Sequence, residues 1–184
     1  MMVAGLALAL SSICLMGCEP SKDADGNTYP TVQIGNQIWM AKNMNAAVEG
    51  SMCYDNDPAN CEKYGRLYTW AAAQKVCPSG WHLPSKEDFK SLLDKVGSSD
   101  EERSANLRAP SWAEGEDKYG FSALPAGYYL SDSEEFIHLG GRAYFWSSTE
   151  DDEDYAYNLN INDSSAGVHY YSKDLGNSVR CLKD

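Results

Sequence analysis

Clustered oxygen donors in the sequence are of the kind that a hard cation binds. Asp55 and Asp57 flank Asn56, and residues 150–154 form an unbroken run of five carboxylates. Calcium takes six to eight oxygen ligands, but consecutive like charges repel each other and point apart, so we interpret the run as a solvated loop. Asp55 and Asp57 remain the candidate calcium ligands, although EF-hand spacing is missing there. The sequence indicates no other cofactor.

The residues that enzymes use for acid–base or nucleophilic chemistry are scattered along this chain. His82, His138 and His169 are far apart in sequence, and none has an evident acidic or nucleophilic partner beside it. The patterns GxSxG, HExxH and the P-loop are missing. Because no set of residues supplies a nucleophile, a base and a stabilising group together, we expect that this protein is not an enzyme.

Aromatic residues supply the most distinctive binding chemistry, with five Trp and twelve Tyr among 184 residues. Trp112 lies in a loop-like stretch, and several tyrosines alternate along predicted strands, so that about half of them face outward. Exposed rings with a polar rim suit stacking on sugars or contact with another protein. The residues that we predict to bind a ligand are Trp112, Tyr128, Tyr155, Tyr157 and Tyr170.

The charge balance excludes one class of partner. The chain has 15 Lys+Arg against 27 Asp+Glu, which gives a formal net charge of −12. Neutralising phosphates needs clustered basic residues, so we expect no nucleic-acid partner. Hydrophobic residues at 43% and charged residues at 23% indicate a globular chain, and the length suits one domain.

The N-terminus has the pattern of an export signal. Residues 3–16 are mostly apolar and uncharged, which matches a signal peptide and is too short for a membrane span. They lead into Leu15-Met16-Gly17-Cys18, which resembles a bacterial lipobox. An ordinary cleaved signal followed by a chance cysteine is the alternative interpretation.

This pattern predicts both a domain organisation and an address. We predict a lipoprotein signal peptide over residues 1–17, a tether over 18–24 and a single domain over 25–184. Cys18 is the predicted site of lipidation, and its acyl chains would hold the protein at the membrane. We therefore expect the protein at the outer membrane or cell surface of a bacterium.

The cysteines of the predicted domain are Cys53, Cys61, Cys77 and Cys181. In an oxidising compartment an even number indicates two disulfides, and four cysteines allow three pairings. A zinc site competes with this interpretation, but no CxxC or HxxxH spacing accompanies these cysteines. The short separation favours a local Cys53–Cys61 bridge, which leaves Cys77 to pair with Cys181.

Helical patterns occur in the first half of the chain and strand patterns mostly in the second. Residues 68–76 are Ala-rich and suit a helix. Ser85 and Asp88 open a second helix as a capping box, and the polar residues 98–106 indicate a loop or a short solvated turn. The predicted strands are residues 32–34, 37–40, 120–130, 143–148, 155–161, 168–172 and 178–182. The sequence thus predicts an α+β fold with two main helices, a mostly antiparallel sheet and termini brought together.

Several strings identify a family resemblance across nearly the whole predicted domain. They are TVQIGNQIWMAKNMN (31–45), GRLYTWAAA (65–73), CPSGWHLPSKEDF (77–89), YGFSALPAGYY (119–129), FWSSTE (145–150) and SVRCLKD (178–184). In this order they resemble the Fibrobacter succinogenes major paralogous domain, which is typical of bacterial lipoproteins. The resemblance implies a C-type lectin-like fold, in which a helix-end cysteine bridges to the last strand, as Cys77 would to Cys181.

The resemblance implies no established activity, and the sequence lacks the EPN, QPD and WND triplets of calcium-dependent sugar-binding lectins. Two functional hypotheses remain. The first is a lipid-anchored binding module of the cell envelope, with a polysaccharide or another surface ligand. The second is a structural envelope protein whose partner is another protein.

Overall fold

The computed structural model describes residues 20–184. The predicted signal peptide, residues 1–17, and the predicted lipidation site, Cys18, lie outside the described residues. A short strand at Ser21–Lys22 falls inside the predicted tether, so ordered structure begins earlier than residue 25. The described part of the chain is an α+β fold with four helices and mostly antiparallel sheets.

The helices are α1 (Pro58–Tyr64), α2 (Trp70–Val76), α3 (Lys86–Val96) and α4 (Asp100–Leu107), and a 3-10 turn covers Tyr54–Asn56. The predicted capping box begins α3: the Ser85 hydroxyl accepts from the Asp88 backbone N–H, and the Asp88 carboxylate accepts from the Ser85 N–H. Within residues 20–184, no helix is long and apolar enough to cross a membrane.

Two of these helices are absent from the sequence prediction, which had only two main helices. The polar segment 98–106 is not a loop, because α4 begins after the cap residue Ser99 and fills most of it. Its buried residues include Ser104 and Asn106, whose side chains donate to the backbone carbonyls of Asn162 and Val96. Tertiary hydrogen bonds therefore satisfy a helix face that has few apolar residues.

The second missed helix, α1, begins inside the short disulfide loop and contains Cys61. Asp57 is its cap residue, and the Asp57 carboxylate accepts from the Ala59 backbone N–H at 2.9 Å. Pro58 occupies the first helical position, where its missing N–H costs nothing. Asp57 thus stabilises the start of a helix that carries Cys61.

The longer strands lie in the C-terminal half. In the described part of the chain the fourteen strands are β1 (Ser21–Lys22), β2 (Thr28–Tyr29), β3 (Thr31–Ile34), β4 (Gln37–Met40), β5 (Ser51–Met52), β6 (Leu67–Tyr68), β7 (Trp81–His82), β8 (Ala126–Leu130), β9 (Glu135–Leu139), β10 (Ala143–Glu150), β11 (Tyr155–Ile161), β12 (Ala166–Ser172), β13 (Leu175–Gly176) and β14 (Leu182–Lys183). The first part of the predicted strand 120–130 is loop, and β9 is not predicted from the sequence.

The main sheet has the strand order β12-β11-β10-β8-β13, and β9 pairs with β8. All of its strand pairs are antiparallel except β10 with β8. A second sheet has the order β3-β4-β14-β7. In it Leu182 pairs with Trp39 on one side and His82 on the other, so the two ends of the domain meet as the sequence predicts.

The main sheet is buried on both faces, as alternation along its strands requires. One face carries Phe145 and Leu159, which pack with α3, α4 and the β3–β4 hairpin. The other face carries Trp146 and Ala156, which pack with α2 and β6. The fold is therefore layered, and the sheet separates two apolar cores.

Arg180 is a cation buried among these layers, with 0% of its surface exposed. Its guanidinium donates to the Asn43 side-chain oxygen at 2.6 and 3.2 Å and to the Met40 carbonyl oxygen at 3.1 Å. It also donates to the Phe121 carbonyl and lies 4.5 Å from the Phe121 ring and 5.4 Å from the Phe145 ring. Burial lowers the Arg180 pKa to about 9, so the group stays charged at neutral pH.

Both disulfides follow the predicted pairing. Cys53 bonds to Cys61 with Cα atoms 5.0 Å apart, and Cys77 bonds to Cys181 with Cα atoms 5.8 Å apart. The first bridge closes a loop over α1, and the second joins the end of α2 to the segment before β14. The long bridge thus ties the middle of the chain to the second sheet.

Removing each bridge as a pair of serines tests the importance of loop length. In the chain-entropy account the loop closed by Cys53–Cys61 contributes about 2.6 kcal/mol and the loop closed by Cys77–Cys181 about 4.7 kcal/mol, both as upper values. We therefore expect the Cys77→Ser/Cys181→Ser variant to lose about 2 kcal/mol more than Cys53→Ser/Cys61→Ser. Urea unfolding measures both free energies, and equal losses would contradict the account.

The cap on α1 gives a second stability prediction. Asp57→Ala removes the side-chain acceptor at the helix start and should lower the free energy of unfolding by about 1 kcal/mol. Asp55→Asn is the matched control, because Asp55 is exposed and Asn tolerates its left-handed backbone, φ 54°. The loss in Asp57→Ala should be the same in calcium and in a chelator; a loss seen only in calcium would assign Asp57 to a metal instead.

Candidate functional site

Three of the predicted ligand-binding tyrosines meet at one end of the β11–β12 hairpin. Tyr155 and Tyr157 share a face of β11, and Tyr170 pairs directly with Tyr157 across the strands. The ring centroid of Tyr170 lies 6.0 Å from that of Tyr155 and 6.1 Å from that of Tyr157, both edge-to-face. We call these three residues the tyrosine surface.

The tyrosine surface is exposed because the helix that covers this sheet face begins beside it. Further along the same face, Leu159 and Val168 are covered by the apolar stripe of α3. Lys86, the first residue of α3, lies over the Tyr157 ring, with its Nζ 3.6 Å from the centroid. Within residues 20–184, only four large hydrophobic side chains are exposed: Tyr170 (57%), Tyr155 (41%), Val48 (41%) and Leu139 (36%).

Polar groups surround the three rings. The Tyr157 hydroxyl donates to the Asp151 carboxylate at 2.5 Å, which fixes that ring. Within residues 20–184 the Lys86 ammonium forms no ion pair with a carboxylate. The Lys86 backbone N–H donates to the Thr149 hydroxyl at 3.0 Å. An apolar ring cluster beside a cation and a carboxylate can stack on a ligand and hydrogen-bond its edge.

The acidic run 150–154 lies beside this surface as a turn folded around a lysine. The Lys173 ammonium donates to the Glu150 carboxylate at 2.9 Å and to the carbonyls of Asp152 and Glu153 at 2.7 Å each. The Asp152 side chain accepts from the backbone N–H groups of Asp154 and Tyr155. The carboxylates are therefore used in different local contacts rather than aimed at a common point.

The two candidate calcium ligands do not form a cluster with other donors. Asp57 caps α1, and Asp55 lies exposed in the preceding 3-10 turn. Across the described residues, no group of three or more His, Cys, Asp or Glu side chains is placed to hold a metal ion.

Trp112 is buried, with 3% of its surface exposed, so the prediction of an exposed binding ring is wrong for this residue. It packs in the core beside α3 and α4. The Arg108 side chain holds its loop by donating to the carbonyls of Trp112 and Ala113. The loop around Trp112 has no helical or strand periodicity. It folds back onto the end of α4, a helix that the sequence does not predict, and this contact buries the Trp112 ring.

Tyr128 belongs to a different aromatic cluster. It is half-buried on β8, with its ring 5.0 Å from that of Tyr144 and 5.5 Å from that of His138. Tyr144 lies on the sheet face opposite to Phe145, away from the tyrosine surface. Of the five aromatic residues predicted to bind a ligand, three therefore lie together at the exposed tyrosine surface, one lies in a second cluster and one lies in the core.

Sequence reasoning missed two residues of the site. Lys86 is assigned only to the first turn of a helix, because nothing local indicates that this turn ends over Tyr157. Asp151 is hidden in the acidic run, where no single carboxylate stands out. Both acquire their position from the pairing of β10 with β11 and the packing of α3 on the sheet.

Comparison with known proteins identifies a family. Residues 32–183 match the sequence model of the Fibrobacter succinogenes major domain, a span that covers most of the chain. No significant match is found among curated proteins or among solved structures. The matched span includes every residue of the tyrosine surface. The chain therefore belongs to the Fibrobacter succinogenes major domain family.

Proposed function

We propose that this protein is a lipid-anchored binding module of the bacterial cell envelope, and that its tyrosine surface binds polysaccharide. The carrying observation is the exposure of Tyr155 and Tyr170, whose rings lie 6.0 Å apart at one end of the β11–β12 hairpin. Large exposed rings that are held rigidly by neighbours are typical of binding sites, because little side-chain freedom is lost on binding.

The chemistry of the surface suits a sugar. The flat, apolar face of a pyranose ring packs against an aromatic ring, and its hydroxyl groups need donors and acceptors at the rim. Asp151 supplies an acceptor and Lys86 a donor within the same cluster. A polysaccharide offers this combination repeatedly along its length, which favours it over an isolated small molecule.

We further propose that the domain has a C-type lectin-like fold. The pairing of β4, near the start of the domain, with β14 at its end supports this. The Cys77–Cys181 bridge from a helix end to the C-terminal segment also supports it. The sugar site proposed here is independent of the calcium triplets of classical lectins, which the sequence lacks.

The proposed anchor is Cys18, and the proposed address is the outer membrane or cell surface. The support is the uncharged apolar segment 3–16 and the lipobox-like residues that follow it. Because β1 begins at Ser21, only two residues separate it from Cys18, a reach of about 10 Å at ~3.3 Å per residue. The domain would then lie close to the membrane surface.

Retention of the full chain on insoluble polysaccharides tests the proposed sugar site. We expect Tyr155→Ala/Tyr170→Ala to reduce the retained fraction at least tenfold, because both exposed rings are removed. The matched control is Tyr155→Phe/Tyr170→Phe, which keeps the rings and should keep retention.

Two results of that experiment would contradict the sugar site: no retention of the folded wild-type protein on any polysaccharide, or equal retention of the alanine variant. Crosslinking in intact cells then tests the alternative. A single dominant protein adduct that requires Tyr155 and Tyr170 would favour a structural envelope protein with a protein partner.

Substitution of the proposed anchor gives a separate prediction. Cys18→Ala should release the protein from the membrane fraction or leave its precursor uncleaved, because the acyl chains that hold it can no longer be added. Cell fractionation with immunoblotting measures both effects, and Cys53→Ser/Cys61→Ser controls for a general loss of cysteine. Unchanged membrane partition and normal processing would show that Cys18 carries no lipid.

A further inference from the structure

A second groove lies at the other end of the β11–β12 hairpin from the tyrosine surface. It has a volume of about 420 Å³. One wall is formed by His138 and the turn 140–142, and the other by the turn 162–164 that joins β11 to β12. Trp112 and Ala113 close one side of it.

Arg142 lines this groove and is half-buried. Within residues 20–184 it forms no ion pair within 4 Å, although the protein carries twelve more acidic than basic side chains. The Arg142 guanidinium has a neutral partner, the Tyr144 hydroxyl, and this contact opposes the rise that burial causes in the Tyr144 pKa. An arginine left without a carboxylate in so acidic a chain is available to an anion from outside.

Asp163 on the opposite wall is also available. It is exposed, and no lysine, arginine or histidine of the described chain pairs with it. Its neighbours are occupied with one another: the Asn162 side-chain oxygen accepts from the backbone N–H groups of Ser164 and Ser165. The groove therefore presents a cation on one wall and a hydrogen-bond acceptor on the other, more than 4 Å apart.

The wall beside Arg142 is held in an uncommon backbone conformation. His138 has φ 67°, and Gly127 on the neighbouring strand has φ 65°. A side chain at Gly127 would overlap the Ile137 carbonyl oxygen, so glycine is required there. Residues held in the left-handed region concentrate at binding sites, because the surrounding structure must maintain them.

The side chains on this wall form one connected group. The His138 Nδ1 lies 3.2 Å from the Tyr144 hydroxyl, and the two rings stack at 6.3 Å. Burial lowers the pKa of His138, and the Arg142 guanidinium lowers it further, so this imidazole is neutral at pH 7. Arg142 is thus the fixed positive charge of the groove, and His138 adds a neutral polar ring beside it.

We propose that this groove binds a sugar acid, with the carboxylate on the Arg142 guanidinium and ring hydroxyls on the Asp163 carboxylate. A guanidinium matches a carboxylate through two parallel hydrogen bonds. A carboxylate on the opposite wall repels a simple anion but accepts hydrogen bonds from hydroxyl groups. A uronic acid carries both groups on one small ring, and it can be a free monosaccharide or a unit of an acidic polysaccharide.

Calorimetric titration of the full-length protein in detergent tests this assignment with three probes. Galacturonate has both groups, galactose lacks the carboxylate and acetate lacks the hydroxyls. We expect galacturonate to bind at least tenfold more tightly than either, since each missing contact involves a charged group. Tight binding of polygalacturonate alone would place the ligand in a polymer and still supports the site.

Three variants separate the two walls. Arg142→Gln should weaken the binding of galacturonate at least tenfold, and Arg142→Lys should weaken it less. Asp163→Asn should weaken the binding of galacturonate but not the binding of acetate. Lys75→Gln is the matched control, because Lys75 is an exposed cation on α2 outside this groove. Circular dichroism verifies that each variant is folded.

The assignment is overturned if the folded wild-type protein binds neither galacturonate nor polygalacturonate, or if Arg142→Gln binds the uronic acid as tightly as the wild type. This experiment is independent of the tyrosine surface: a monosaccharide titration reports on Arg142, and retention on insoluble polysaccharide reports on Tyr155 and Tyr170. Failure of one proposal is therefore distinguishable from failure of the other.

Discussion

The fold depends on one buried cation. Among residues 20–184 no carboxylate lies within hydrogen-bonding distance of Arg180, so its charge is stabilised by carbonyl oxygens, by the Asn43 amide and by two aromatic faces. Removing a charge from water costs several kcal/mol unless all of these contacts form together. The guanidinium therefore specifies how the segment after β4, the loop before β8 and strand β10 meet, because each supplies part of its surroundings.

Local signals in the sequence were sufficient where a residue's partner is near it in the chain. Ser85 and Asp88 cap α3 three residues apart, and the apolar stripe that follows is buried as its spacing predicts. The Cys53–Cys61 bridge is equally local, and its assignment left one partner for Cys77. The alternation of the C-terminal strands likewise predicted that Tyr155 and Tyr157 share a face.

Prediction failed where burial depends on distant contacts. The sequence predicts a loop where α4 lies, because the partners of Ser104 and Asn106 are distant in the chain, on Asn162 and Val96. The sequence predicts an exposed ring at Trp112, because the chain's return onto α4 leaves no periodic pattern. For the same reason the sequence does not show that Lys86 lies over Tyr157, or that Arg142 and Asp163 face each other across a groove.

The position of β14 has a consequence for how the domain forms. This strand lies between β4 and β7, so the second sheet is two separate pieces until residues 182–183 arrive. When a chain emerges with its N-terminus first, from a ribosome or a translocation pore, the second sheet cannot be completed until that strand has emerged. Pairings over more than a hundred residues also close slowly, because loop-closure entropy is lost before any contact forms. The second sheet is therefore the part of the domain that is completed last, after the C-terminal residues have been synthesised.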